Sequence, residues 1–345
     1  MANYTIGVDL GGTNLRVAAV DEQGGLLEKI TLGTRVNLGR DRVIHDMCES
    51  IQQLAQKYAS SAKLMGMGIG VPGIIDMETG MIRDSANLPG WGNYPVRAEI
   101  EQRLRTKVFL DNDGSMAALG EKWQGAARLV DDMAMLTLGT GVGGGLVIGG
   151  KIWQGMNGMA GEFGHFMVEP EGNQCGCGSQ GCLEQYASAS AVVRMAREAI
   201  AGGGAPGLAK LAGSDAEFTS EMVYNLALQG DGDAQRIFRQ VGRALGIVLG
   251  NLVNGLNLPM YVIGGGASSA WDAFAPAMYE EMRARSTVYA ATGPAVPMEG
   301  SRGAWAKVIP ATGGLRTIVT RALLGSDAGL YGAARLPWVL AEVRG

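Results

Sequence analysis

The residues that most often carry chemistry are scarce in this 345-residue chain: four cysteines, two histidines and 6% aromatics. No run of eighteen apolar residues occurs, which excludes a membrane-spanning helix. Lysine and arginine total 29 against 33 acids, with no basic block, so no nucleic-acid partner is predicted. A strand pattern begins by Tyr4, leaving no room for a signal peptide. The expectation is a cytoplasmic protein with neither nucleic acid nor membrane as partner. A Gly-Lys-Ser/Thr ending is also missing, which removes the P-loop. Glycine, by contrast, is abundant at 55 residues, and predicts many tight turns and close backbone approaches to ligand. The length predicts two domains, and 47% hydrophobic content is enough to give them cores.

The few cysteines are concentrated. Cys175, Cys177 and Cys182 fall with His165 inside one segment, Gly155 to Gln185, spaced Cys-x-Cys-x4-Cys with the histidine ten residues upstream. Three thiolates and an imidazole are the ligand set of a tetrahedral structural zinc site. Gly176, Gly178 and Gly181 let the backbone turn tightly enough for the sulfurs to face one point. A disulfide would leave an odd thiol, the spacing is not the Cys-x-x-Cys of a redox pair, and a catalytic zinc needs an open position. Structural zinc is the reading these residues favour. Glu162 and Glu184 flank the knot, and a metal that pins the loop fixes where they point. Cys48, alone on a predicted helix, reads as a buried small hydrophobe.

Tyr4 to Asp9 alternates as a strand, Leu10-Gly-Gly-Thr13 is a glycine turn, and strands resume at Leu15 to Val20 and Leu26 to Thr34. The turn therefore joins two strands, whereas a Rossmann turn leads into a helix. Its N–H groups and the Thr13 hydroxyl can hold phosphate oxygens, and Asp9 can orient Mg²⁺. A plain hairpin has the same pattern. A helix from Arg42 to Tyr58, a strand from Leu64 to Val71, a loop at Asn87 to Trp91, a helix from Pro95 to Leu104 and a strand from Val108 to Asp111 come next. Asn87 before a turn and an aromatic suits a sugar contact, and an ordinary loop has the same composition. Asn112-Asp113-Gly114 opens a helix to about Gly125; a cap explains one polar residue, yet Asp111-Asn112-Asp113 supplies more.

Met133 to Leu138 runs into Gly139-Thr-Gly-Val-Gly-Gly-Gly145 and then another strand, Leu146 to Ile148. This second strand–glycine turn–strand unit echoes the first and suggests a duplicated domain with a nucleotide between the copies. Leu183 to Ile200 reads as one helix, Ala201 to Gly207 as a flexible linker, and Ile237 to Leu256 as a long core or dimer helix. Pro259 to Ile263 is a strand ending in Gly264-Gly-Gly-Ala267, a surface on which adenine or ribose can lie. Trp271 to Arg285 is helical, Lys307 to Pro310 a short strand, Asp327 to Ala334 the start of a last helix, and Thr287 to Gly303 irregular.

Taken together, Asp9-Leu-Gly-Gly-Thr-Asn-Leu-Arg16, Asn87 to Trp91, Asn112-Asp113, Leu138 to Gly145, Gly158 to His165, Cys175 to Glu184, Gly264 to Ala267 and Asp327 to Ala334 make the chain similar to the ROK family (repressors, open reading frames and sugar kinases), in particular its zinc-containing glucokinases. The resemblance implies an α/β actin-like ATPase (ribonuclease H-like) fold with two lobes around a cleft, and a homodimer. The expected lobes are 1–115 plus 327–345, and 116–326 with a zinc loop at 165–182. It implies Asp113 as general base, and Asn87, Asn112, Asp113, Glu162, His165 and Glu184 as the sugar-binding set. Zinc is expected on His165, Cys175, Cys177 and Cys182. ATP and Mg²⁺ are expected at Asp9, Gly11, Gly12, Thr13, Gly139, Thr140, Gly141, Gly265 and Gly266.

The implied activity is phosphorylation of a hexose 6-hydroxyl, with glucose first and N-acetylmannosamine, allose, mannose or fructose as alternatives. Repressors of the family carry a helix-turn-helix before the Asp-Gly-Gly turn, and here only eight residues precede Asp9, so repression is not expected. A non-catalytic sugar sensor is opposed by Asp113. Polyphosphate as donor is opposed by the lack of a basic track.

Overall fold

Alternation along the first strand puts its large apolar residues on one face and the small residues Thr5 and Gly7 on the other, so one face needs a core and the other admits a closely packed helix. The computed structural model describes residues 2–85, 87–214, 217–294 and 316–342. In β1 (Ala2–Leu10) the side chains of Tyr4, Ile6, Val8 and Leu10 are buried. It pairs antiparallel with β2 (Asn14–Asp21), which pairs antiparallel with β3 (Leu26–Gly33), so the first glycine turn is a hairpin as its sequence predicts. Helix α1 (Arg40–Tyr58) lays Val43, Ile44, Met47, Ile51 and Leu54 into the core shared with β1. Cys48 is buried there too.

Strand β4 (Ala62–Val71) then pairs parallel with β1. A small hairpin, β5 (Ile74–Asp76) and β6 (Met81–Asp84), precedes α2 (Val96–Leu104); the sequence suggests short extended pieces around the Asn87 loop but not this pairing. Strand β7 (Phe109–Asn112) pairs parallel with β4 and passes directly into α3 (Asp113–Trp123), completing a sheet of order β3-β2-β1-β4-β7.

The second sheet is built from β8 (Met133–Leu138), β9 (Val142–Ile148) and β10 (Lys151–Ile152), with two later strands. After the cysteine segment come α4 (Glu184–Ala187), α5 (Ala189–Ala201), α6 (Pro206–Ser214), α7 (Ser220–Leu228) and α8 (Gly232–Leu256). The expected single helix from Leu183 to Ile200 is thus broken at Ser188, an extended residue whose side chain caps α5 by accepting from the Ala191 N–H. The expected linker after Ala201 is shorter than predicted, because α6 begins at Pro206.

In α8 the predicted apolar stripe is buried from Ile237 to Val253, and Leu256 is exposed at its end. Gly242 and Gly246 let α8 lie against the backbone of α9 (Trp271–Arg285) at Phe274 and Met278. Strand β11 (Met260–Gly264) precedes α9; α10 (Thr287–Thr292), capped by Ser286, replaces the start of the stretch expected to be irregular. Strand β12 (Ile318–Arg321) pairs parallel with β11 and leads to α11 (Ala328–Glu342). The expected strand at Lys307 to Pro310 lies outside the described residues.

The second sheet runs β10-β9-β8-β11-β12. In each sheet, therefore, the third, second, first, fourth and fifth of that sheet's own strands in chain order stand side by side, the repetition that the two glycine turns suggest. The chain divides into two compact units, one of residues 1–135, 145–161 and 323–345, the other of 136–144 and 162–322. In the first unit α11 lies on β1 and β4 where Gly7 and Gly68 have no side chain to obstruct it; a Cβ at either would overlap the carbonyl of Leu330 or Ala333. Gly120 of α3 and Gly332 of α11 allow the same intimacy between those two helices. Among the described residues no helix is long and apolar enough to cross a membrane.

Candidate active site

Parallel strands β1, β4 and β7 bring Asp9, Gly70 and Asp111 into one row, Asp9 opposite Gly70 and Gly70 opposite Asp111. Ligands of open α/β sheets gather beyond such carboxyl ends. The Gly11-Gly12-Thr13 turn comes directly after this end of β1 and is shaped by Gly11 N–H donating to Asn14 O at 2.8 Å and Thr34 Oγ1 donating to Gly11 O at 2.6 Å. Asn87 is exposed, and its backbone oxygen would stand 3.1 Å from a Cβ at Gly12. Buried Leu88 and Trp91 anchor this loop. The Asp9 carboxylate accepts from Arg16 Nη1 at 2.9 Å. Burial raises the Asp9 carboxyl above its ordinary range; Arg16 opposes that, and Asp327 adds to it.

At the β7–α3 junction Asn112 is the helix N-cap. Its Oδ1 accepts from Gly114 N–H at 2.8 Å and Ser115 N–H at 3.3 Å, and its Nδ2 donates to Gly73 O at 3.1 Å. Asp113 is the first helical residue, half-buried, with Gly114 N–H donating to Oδ1 at 2.9 Å. A carboxylate there sits in the positive field of the helix N-terminus and is held at a fixed angle by strand and helix alike.

In the second unit a 3₁₀ turn, Phe163–His165, sets Glu162 and His165 side by side, His165 Nε2 lying 3.9 Å from Glu162 Oε2. His165 Nδ1 points the other way, 3.7 Å from Cys175 Sγ, and Cys177 Sγ is 3.7 Å from Cys182 Sγ. All four ligand atoms lie within 4.8 Å of one another. Ligands about 2.3 Å from a tetrahedral centre stand about 3.7 Å apart, so the cluster has the size that zinc requires. Burial raises the Glu162 carboxyl; His165 opposes this and the charge of Glu184 adds to it, which puts both acids in one neighbourhood.

Glu184 is tied further. Its Oε2 accepts from Val142 N–H at 2.9 Å, in the second glycine turn, and its Oε1 is 3.9 Å from Cys175 Sγ. That turn is closed by Gly139 N–H donating to Gly141 O at 2.9 Å, and Ala189 N–H donates to Gly139 O at 2.8 Å. Thr140 at its tip is exposed. Gly265 has φ 82° and lies against the backbone of Leu138, which precedes the turn, while Gly266 beside it has open space.

The first unit thus gathers Asp9, Gly11, Gly12, Thr13 and Asn87, and carries Asn112 with Asp113. The second gathers Glu162, His165, Glu184, the cysteines, Gly139 to Gly141 and Gly265. Three participants had no individual role in the sequence. Asp111, whose Oδ2 accepts from Gln154 Nε2 at 2.7 Å, was visible only as surplus polarity before a helix, Gln154 gave no signal, and the Val142 donor is main chain.

A doubled sheet with a glycine turn after the first strand of each copy, and an aspartate that opens the helix after the last strand of the first copy, is the arrangement of an actin-like ATPase fold. The chain belongs to the ROK family, whose model matches residues 5–337. It is 42% identical over 265 residues to a glucokinase of Thermotoga maritima, covering 77% of this chain and 82% of that one. It is 30% identical over 284 residues to a xylose repressor of Caldicellulosiruptor bescii, covering 82% and 71%. A crystal structure of a ROK glucokinase from Streptomyces griseus with glucose and AMPPNP superposes with TM-score 0.75 at 33% identity, covering 96% of this chain and 98% of that one.

Proposed function

We infer that the protein is an ATP-dependent hexose kinase that phosphorylates the 6-hydroxyl of glucose. The observation that carries this is Asp113, fixed at the β7–α3 junction of a chain 42% identical to a glucokinase. Asp113 takes the proton of the acceptor hydroxyl as that oxygen bonds to the γ-phosphorus. The bond from phosphorus to the bridging oxygen breaks, and the electron pair leaves with ADP. Such a transfer asks the protein mainly for positioning and charge stabilisation. The N–H groups of the turns at Gly11 to Thr13 and Gly139 to Gly141 hold phosphate oxygens, with Gly265 and Gly266 beneath the nucleoside. Asp9, aligned by Arg16, orients the waters of Mg²⁺.

Asn87, Asn112, Glu162, His165 and Glu184 bind the hydroxyls of the sugar. Asn112 does so through its second amide hydrogen, since its oxygen is committed to the cap. Zinc on His165, Cys175, Cys177 and Cys182, when bound, supplies a fixed cross-link and takes no part in the reaction. With Nδ1 of His165 turned to the sulfurs, Nε2 carries the proton and donates to a sugar hydroxyl. A cytoplasmic homodimer feeding glycolysis is the setting that this reading implies. The test is ADP release by zinc-replete protein with Mg-ATP across hexoses and N-acetylhexosamines. Glucose should give the largest kcat/KM. Turnover with none of them overturns the reading.

A further inference from the structure

Asp111 is a carboxylate in the wrong place for a passive role: it is 1% exposed, at the end of β7, two residues before the base. Capping α3 does not need it, because Asn112 does that alone. Burying a charge is costly unless hydrogen bonds replace water. Asp111 has them. Its Oδ1 accepts from the Asn112 N–H at 2.7 Å, and its Oδ2 accepts from Gln154 Nε2 at 2.7 Å. The first bond fixes the peptide that enters Asn112, whose own Oδ1 holds the Gly114 and Ser115 N–H groups in the first turn of α3. Between these two attachments stands Asp113.

Gln154 makes the third attachment, and it comes from elsewhere in the chain. Its carbonyl accepts from Ala160 N–H at 3.3 Å, closing the loop 154–160, two residues short of Glu162 in sequence. One side chain therefore ties the strand–helix junction to that loop, while burial excludes competing water.

We propose that Asp111 and Gln154 form a positioning pair for the phosphoryl transfer, fixing the β7–α3 junction so that the Asp113 carboxylate points at the acceptor hydroxyl. This rests on the kinase reading above. Neither residue touches substrate; the pair acts through Asp113, and a misplacement of the base by an ångström or less is enough to slow the reaction.

The test is kinetic. Gln154→Leu removes the donor at a half-exposed position and keeps much of the bulk: glucose kcat should fall about tenfold or more, with the KM for glucose changed less than about threefold. In Asp111→Asn the remaining oxygen still accepts from the Asn112 N–H, and the Gln154 amide can turn its oxygen to the new amide, so the pair survives without its charge and kcat should stay within about threefold. Gln154→Leu with wild-type kcat, or a folded Asp111→Asn as slow as Gln154→Leu, overturns the proposal. Should Gln154→Leu not fold, Gln154→Ala removes the same donor: a kcat loss at unchanged KM supports the pair, and wild-type kcat overturns it. Absence of glucose turnover in the wild-type protein would instead overturn the kinase reading, so the two failures are distinct.

Discussion

The carboxylate of Glu184 accepts from the backbone N–H of Val142 at 2.9 Å, so one side chain joins the cysteine segment to the second glycine turn. In the kinase reading these are the acceptor-binding and phosphate-binding parts of the second unit. A change in the turn is therefore felt at the sugar. A Cβ at Gly141 would overlap Glu184 Oε2. Gly141→Ala should weaken glucose binding roughly tenfold in protein free of nucleotide, the scale of a hydrogen bond to a charged group. Titration calorimetry with glucose alone measures this; an unchanged affinity would mean that the Glu184–Val142 bond does not orient the acid.

Asp113→Asn keeps the size of the base and removes its ability to take a proton. Turnover should drop by roughly 10²–10⁴. Glucose affinity should stay within a few-fold, because the amide can still hydrogen-bond the hydroxyl. Steady-state rates together with equilibrium binding separate the two effects, and a variant with normal turnover would remove Asp113 from the mechanism.

Cys177 is the exposed cysteine of the cluster, so Cys177→Ser removes a thiolate without opening the core. Zinc content measured by mass spectrometry and glucose affinity should fall together, and chelation of the wild-type protein should reproduce both losses. Full sugar affinity in metal-free protein would show that the cross-link does not shape the site.

Asp111 supplies a pH signature. Burial lifts its carboxyl to about 6, above its value in the unfolded chain. Between about pH 4 and 6 the folded protein holds this proton and the unfolded chain does not, so the stability contributed here declines as pH rises through that window. The shift corresponds to about 3 kcal/mol, lost in full above about pH 6. Asp111→Asn has no charge to bury. Its unfolding free energy in urea should gain on the wild type from pH 4 to pH 7, whereas parallel curves would contradict the assignment.

Packing offers an independent check. In Gly332→Ala the new methyl would overlap the Met116 carbonyl of α3, costing roughly 1–3 kcal/mol or more. Gly213→Ala, on α6 with nothing within 4 Å of the added carbon, should be neutral or mildly stabilising. Thermal unfolding of the pair decides, and equal effects would mean that the α3–α11 contact relaxes freely.

Much of the architecture was legible because strands buried on both faces leave uninterrupted apolar runs, as in Met133 to Leu136 and Met260 to Ile263. The turns at Gly11 and Gly139 were legible because a strand pattern resumes on the far side of each. Other features depend on distant partners. Nothing between Leu183 and Ile200 breaks a helix by composition; Ser188 does so because it caps α5 while Ala189 reaches back to Gly139. The hairpin at Ile74 to Asp84 is too short for its alternation to register. Asp113 stood out through its neighbours Asn112 and Gly114, while the Asp111–Gln154 bond joins residues 43 positions apart, which no local pattern encodes.

Helix α11 comes from the far end of the chain yet lies against β1, β4 and α3 of the first unit. During synthesis the N-terminal sheet therefore emerges with one face uncovered and stays so while the whole second unit is made. The helix that carries Asp113 acquires its neighbour only when residues 328–342 leave the ribosome. A polypeptide stalled in the second unit would expose that face to chaperones and proteases.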